Sequence, residues 1–163
     1  IEQEGTYPLP EAQLDRFMFQ IRMQYPSLSE EIQVVRQTTS SIPASPHKVL
    51  DGETLLFFQQ LIRRMPVTEH VLEYAVQLAA STRPGSEQAR DFTKDLVQWG
   101  AGPRASQYLV LGAKCHAATQ GKYSPDIEDV KAVAHNVLAH RMVLNYKAEA
   151  QGLQADDLIT RLL

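Results

Sequence analysis

From Gly52 onward, apolar residues recur at intervals of three and four, and proline or glycine cuts the pattern at short distances. Such a segment can bury its apolar residues only as a set of short helices packed side by side. Leu55, Phe58, Leu61, Ile62 and Met65 mark the buried face of a helix over 53–65 that Pro66 stops. Thr68 caps the next, which carries Val71, Leu72, Ala75, Val76 and Ala79 and ends at Ser81. Arg83-Pro84-Gly85-Ser86 breaks the chain before a weaker amphipathic stretch, 87–98, with Phe92, Leu96 and Val97. Gly100-Ala101-Gly102-Pro103 is a second break. A helix over 104–119 follows, then one over 125–141 capped by Ser124 and opened by Pro125. A final helix starts after Asp156, and no strand is expected in this part.

The first forty residues differ. Pro10 opens a short helix over 10–16, and residues 17–23 alternate Phe17, Phe19, Ile21 and Met23 with Met18, Gln20 and Arg22. Period two predicts a strand with one apolar face. Ser27-Leu28-Ser29-Glu30 is a capping-box pattern before another helix. Residues 40–52, rich in serine and proline, read as a linker, which divides the chain into 1–39, 40–52 and 53–163. The chain opens on Ile1 rather than Met and in turn-like sequence, so it is expected to be the C-terminal portion of something longer.

Composition narrows the function. Lys and Arg total 16 against 19 Asp and Glu, a net charge of −3, so nucleic acid is not an expected partner. The longest apolar runs are only a few residues, where a membrane-spanning helix needs about 20, so no membrane insertion is expected. The single cysteine, Cys115, has no internal partner, which fits a cytoplasmic compartment. No two of His47, His70, His116, His135 and His140 are four apart, and no metal site is predicted. Neither a Walker A loop nor a Gly-x-Ser-x-Gly elbow is present.

Two arginines stand out. Arg104 falls in the first turn of its helix, after Gly102 at the cap and Pro103 at the first position. A cation there opposes the helix dipole unless an anion joins it; otherwise Arg104 is a solvent-facing side chain. Arg16 sits where the short helix meets the strand, beside Asp15, and a surface pair with Asp15 or Glu11 is the plain alternative. Trp99 reads as a packing anchor, and Arg63-Arg64 as a solvated helix end.

The run Ile1-Glu2-Gln3-Glu4-Gly5-Thr6-Tyr7-Pro8-Leu9-Pro10-Glu11-Ala12-Gln13-Leu14-Asp15-Arg16-Phe17 closely resembles the MoxR family of AAA+ ATPases. Gly100-Ala101-Gly102-Pro103-Arg104-Ala105-Ser106 resembles that family's sensor 2 motif. Ala80-Ser81-Thr82-Arg83, Ser124 to Val130 and His140-Arg141 also match, in order. The resemblance implies a mainly α chain: a helical-bundle AAA+ lid domain (53–163) preceded by a short helix–strand–helix remnant of the α/β nucleotide-binding core (1–39). It implies that Arg16 is an arginine finger acting in trans and that Arg104 is sensor 2, reading the γ-phosphate of ATP in cis or in trans. It further implies a parent that binds ATP and Mg2+ through Walker motifs upstream of Ile1. That parent would form a homo-oligomeric ring, a hexamer by family pattern, and remodel or mature partner proteins, a von Willebrand factor A domain protein among them. The chain alone is then expected to bind no nucleotide and to be inactive. The rival expectation is a stand-alone helical protein-interaction module without catalytic activity.

Overall fold

In the computed structural model, residues 9–40 and 46–163 are described. A one-turn helix α1 (Glu11–Leu14) and an amphipathic helix α2 (Leu28–Thr38) precede the bundle. The bundle is built from α3 (Gly52–Arg64), α4 (Glu69–Ser81), α5 (Asp91–Leu96), α6 (Pro103–Thr119), α7 (Ile127–Leu138), α8 (Tyr146–Ala150) and α9 (Ala155–Leu162). Two short strands, β1 (Val97–Trp99) and β2 (Val143–Leu144), complete it. The expected mainly α, lid-type bundle is what the chain forms.

The core runs from Val71 to Leu162, and α6 packed on α7 is its centre, with α4 and α9 against them. Leu109, Val130, Val137, Leu138, Leu158 and Ile159 are fully buried. Between them lie Ala75, Ala79, Ala105, Ala113, Ala117 and Ala134, which let helix backbones approach closely. At Gly112 an added Cβ would sit 3.2 Å from both Phe19 and Val133, so α6 is pressed from two sides. Helices α2 and α3 contribute no buried residue, although α3 packs on α6 and Lys114 Nζ donates to the Arg63 carbonyl at 3.3 Å.

Local chemistry sets the helix ends. The Ser27–Glu30 capping box forms as the pattern predicts: the Ser27 N–H donates to Glu30 at 2.8 Å and the Glu30 N–H to Ser27 at 3.4 Å. The cap of α7 is Asp126 rather than Ser124, because its carboxylate accepts from the Asp129 N–H while Asp129 accepts from the Asp126 N–H. Asp129 is fully buried and also accepts from His116 Nδ1 at 2.7 Å and Lys122 Nζ at 3.1 Å. Burial alone would raise its pKa; the Asp126 N–H, His116 and Lys122 outweigh that and hold it below the ordinary carboxylate value. This knot ties the end of α6 to the start of α7.

Three expectations are corrected. Residues 17–23 do not form a strand: among the described residues they find no sheet to pair with, and their backbone N–H bonds are those of Phe17 to the Leu14 carbonyl at 3.1 Å and of Gln20 to the Asn136 carbonyl at 2.8 Å. Phe19 packs on the core while Ile21 and Met23 face outward, Met23 at 89% exposure. Second, strands do occur beyond the linker. β1 and β2 pair antiparallel, Val97 opposite Leu144 and Trp99 opposite Val143, and are too short to show alternation in sequence. Third, the stretch 87–98 is helical only as α5, because its last residues peel off into β1. The helix expected over 125–141 is α7 closed by a 3-10 turn, Ala139–Arg141.

A close contact orients the start of α6. A Cβ on Gly100 would lie 2.3 Å from the Thr82 carbonyl oxygen, so only glycine fits. The fully buried Thr82 hydroxyl accepts from the Ala101 N–H at 2.9 Å and donates to the Ala79 carbonyl at 2.7 Å. Arg83 Nε donates to the Ala101 carbonyl at 2.7 Å. Gly100→Ala is therefore expected to lower stability by about 3 kcal/mol, since backbone must move to admit the methyl group. Gly85→Ala, where a Cβ meets nothing within 4 Å, is the control and should leave the urea midpoint unchanged or slightly raised.

Candidate functional site: an arginine-rich corner

The two sequence-selected arginines are brought to one corner of the fold. Helix α1 ends at Asp15, so Arg16 leads out of it into the extended segment. Arg104 is the second residue of α6, behind Gly102 at the cap and Pro103. Arg104 Nη1 donates to Asp15 Oδ2 at 2.9 Å; the two side chains are 47% and 34% exposed. Asp15 does not make the surface pair open to Arg16: its carboxylate belongs to Arg104 and Arg141.

Arg141, 1% exposed, organises the corner. Its Nε donates to Asp15 Oδ1 at 3.0 Å and its Nη2 to the Asp15 carbonyl at 2.7 Å. Its remaining N–H groups reach the carbonyls of Phe17, Met18 and Val137. The guanidinium lies over the Tyr108 ring, 5.1 Å from its centroid. Burial works against its charge, and the bond to Asp15 offsets part of that cost.

The backbone around Arg16 is held from the lid at four successive carbonyls. Arg141 donates to the Asp15 carbonyl, the Tyr108 hydroxyl to the Arg16 carbonyl at 3.1 Å, both Arg141 and His140 to the Phe17 carbonyl, and Arg141 to the Met18 carbonyl. Arg16 itself is exposed. The peptide is thus fixed while the side chain is left to reach outward. Tyr108 stands one helical turn after Arg104, so one face of α6 serves both arginines.

A pocket of about 230 Å3 opens beside this corner, lined by Glu11, Asp15, Trp99, Gly102, His140 and Arg141. Trp99 is 62% exposed and is not the packing anchor expected; β1 turns it outward. Among the described residues, no three His, Cys, Asp or Glu side chains converge as metal ligands. Sequence reasoning missed Asp15 as a hub and matched Arg141 only as part of a motif. Their pairing spans 126 positions, and its sole signal was a buried-looking helix end carrying an arginine.

The fold defines the class. Residues 89–162 match the model of the AAA lid domain. Over its full length the chain is 35% identical to the chaperone MoxR1 of Mycobacterium tuberculosis and covers 43% of that protein. It is 34% identical to the YeaC protein of Bacillus subtilis, again over the full chain and 48% of that protein. A crystal structure of a Cytophaga hutchinsonii protein assigned as an ATPase superposes with a TM-score of 0.91 at 33% identity, over 99% of this chain and 49% of that one. The chain thus carries an AAA lid domain, and its homologues over the whole length are MoxR-family proteins. It spans about half the length of these relatives.

His140 gives the corner a pH dependence. The Phe17 carbonyl only accepts, so Nε2 carries the proton, and Nδ1 is buried without a partner. Burial pulls the imidazole below its ordinary value of 6.5. A depressed histidine contributes stability that is complete above the unfolded value and lost as pH falls through the folded one. Urea midpoints are expected to be level above pH ~7 and to decline below about 6.5. His140→Gln should flatten that part of the decline.

Proposed function

We propose that this chain supplies the arginine finger, Arg16, and sensor 2, Arg104, of a MoxR-type AAA+ ATPase. Its parent couples ATP hydrolysis to remodelling or maturation of partner proteins. The observation that carries the reading is the ion pair that ties Arg104 to Asp15, the residue before Arg16. Two guanidiniums at one corner suit the terminal phosphate of a nucleotide, since each offers forked donors to phosphate oxygens.

The fit is partial, and the partition is informative. The corner offers cations for phosphate but no phosphate-cradling loop, and the described residues hold no carboxylate cluster for Mg2+. Base, ribose and Mg2+ ligands therefore belong to the other half of the protein, where the Walker motifs are expected. ATP with Mg2+ supplies the phosphoryl group transferred to water. Arg16, its peptide clamped by Tyr108, His140 and Arg141, stabilises charge on the phosphate oxygens as the bond breaks. Arg104 registers whether that phosphate is present and passes its state to α6.

The bond from Arg104 to Asp15, next in sequence to Arg16, favours Arg16 and Arg104 acting on the same nucleotide. If the finger reaches a neighbouring subunit's nucleotide, sensor 2 does too, and turnover requires a ring, for which the family pattern is a hexamer. A von Willebrand factor A domain protein is the partner proposed on the same basis. Similarity to MoxR proteins across the whole chain favours this reading over a stand-alone interaction module.

The test uses the longer gene product in its assembled form. Arg16→Ala is expected to cut ATP turnover by roughly a thousandfold while leaving ATP binding largely intact. A normal rate in that variant overturns the finger assignment. Arg104→Ala is expected to erode the preference for ATP over ADP. An unchanged ratio of the two affinities returns Arg104 to a solvent-facing role. The chain alone, lacking a phosphate cradle, is expected to show no turnover.

A further inference from the structure

Asp15 holds two guanidiniums, and the two are not equivalent. Arg141 is buried and fixed by four carbonyls besides the carboxylate. Arg104 is half-exposed and has Asp15 as its ion-pair partner among the described residues. Only Arg104 is free to leave. Its position in the first turn of α6 is also unfavourable for a cation unless a negative group sits beside it. Asp15 now fills that need, and a phosphate oxygen has the same charge and the same acceptor geometry.

We propose that Asp15 is a positioning residue that occupies Arg104 until a nucleotide's terminal phosphate takes its place, and so sets the preference for a triphosphate. The proposal rests on the reading of Arg104 given above. In the exchange Asp15 gives up Oδ2–Arg104 and keeps Oδ1–Arg141, so the peptide around Arg16 stays clasped. The Arg104 and Arg141 guanidiniums, whose charges oppose each other, lose part of their common counter-ion at the same moment. The phosphate replaces it. Nucleotide arrival is thereby registered one residue from the finger.

The test measures ATP and ADP affinities of the assembled longer protein. Asp15→Asn keeps the shape and still accepts from Arg141 but loses the charge that competes with phosphate. It is expected to bind ATP about 2–5-fold more tightly, the range for a partly exposed ion pair, with ADP unchanged. The gain should vanish when Arg104→Met is combined with it. Asp15→Ser is a second variant of which the same gain is required, and Asp15→Glu should keep the parental ratio. Damage to the fold alone weakens both nucleotides and does not tighten one. ATP affinity that stays level, or falls together with that for ADP, overturns the proposal. Failure of both Asp15→Asn and Asp15→Ser to assemble assigns Asp15 to the fold and also overturns it. If Arg104→Met alone leaves the ATP to ADP ratio unchanged, the sensor 2 reading itself has failed.

Discussion

A guanidinium buried to 1% exposure is the constraint around which this structure is arranged. Arg141 sits where α7 runs out, and its fork takes up the Val137 carbonyl that the helix leaves open. The same fork reaches back across the fold to residues 15–18. Removing a charge of this kind leaves several acceptors without donors, and supplying it without Asp15 leaves a buried cation uncompensated. Each group therefore requires the other, and the segment before the linker is tied to the lid by polar chemistry more than by apolar packing.

Much of the lid was legible. Pro66, Pro84-Gly85, Gly100 to Pro103 and Pro125 mark breaks because proline removes a backbone donor and glycine loses more backbone entropy in a helix. The stripes of α4, α6 and α7 were readable because several turns repeat them. β1 and β2 were not, since a pair of three and two residues is too short for a period. Period two at Phe17, Phe19, Ile21 and Met23 recorded a surface suited to a sheet that the described residues do not contain. Arg16 and Arg104 stood out by their places at helix ends and by motif; that Asp15, beside Arg16, binds Arg104 depends on a fold-wide contact no local pattern encodes.

Apolar surface is divided unevenly. The lid encloses its leucines, valines and alanines, while α2 and α3 leave Ile32, Val35, Leu55, Leu56, Phe57 and Leu61 largely in solvent. Capping is strong on both, with Ser27–Glu30 on α2 and Asp51 accepting from the Thr54 N–H on α3. These helices are thus specified by their own ends and not by burial in the lid. The match to the lid-domain model begins at residue 89, inside the region that closes its own core.

The alanine seams between α6 and its neighbours have a mechanical consequence. Where alanines face a neighbouring helix the backbones approach closely, so little of a push on α6 is absorbed there by side chains changing rotamer. With 17 residues, α6 is a rod about 25 Å long. Arg104 sits at one end and the His116–Asp129–Lys122 knot at the other. A tilt of about 10° at the arginine end moves the far end of such a rod by about 4 Å. Such a rod acts as a lever pivoting at the Arg104–Asp15 corner, with the knot at the end of its arm.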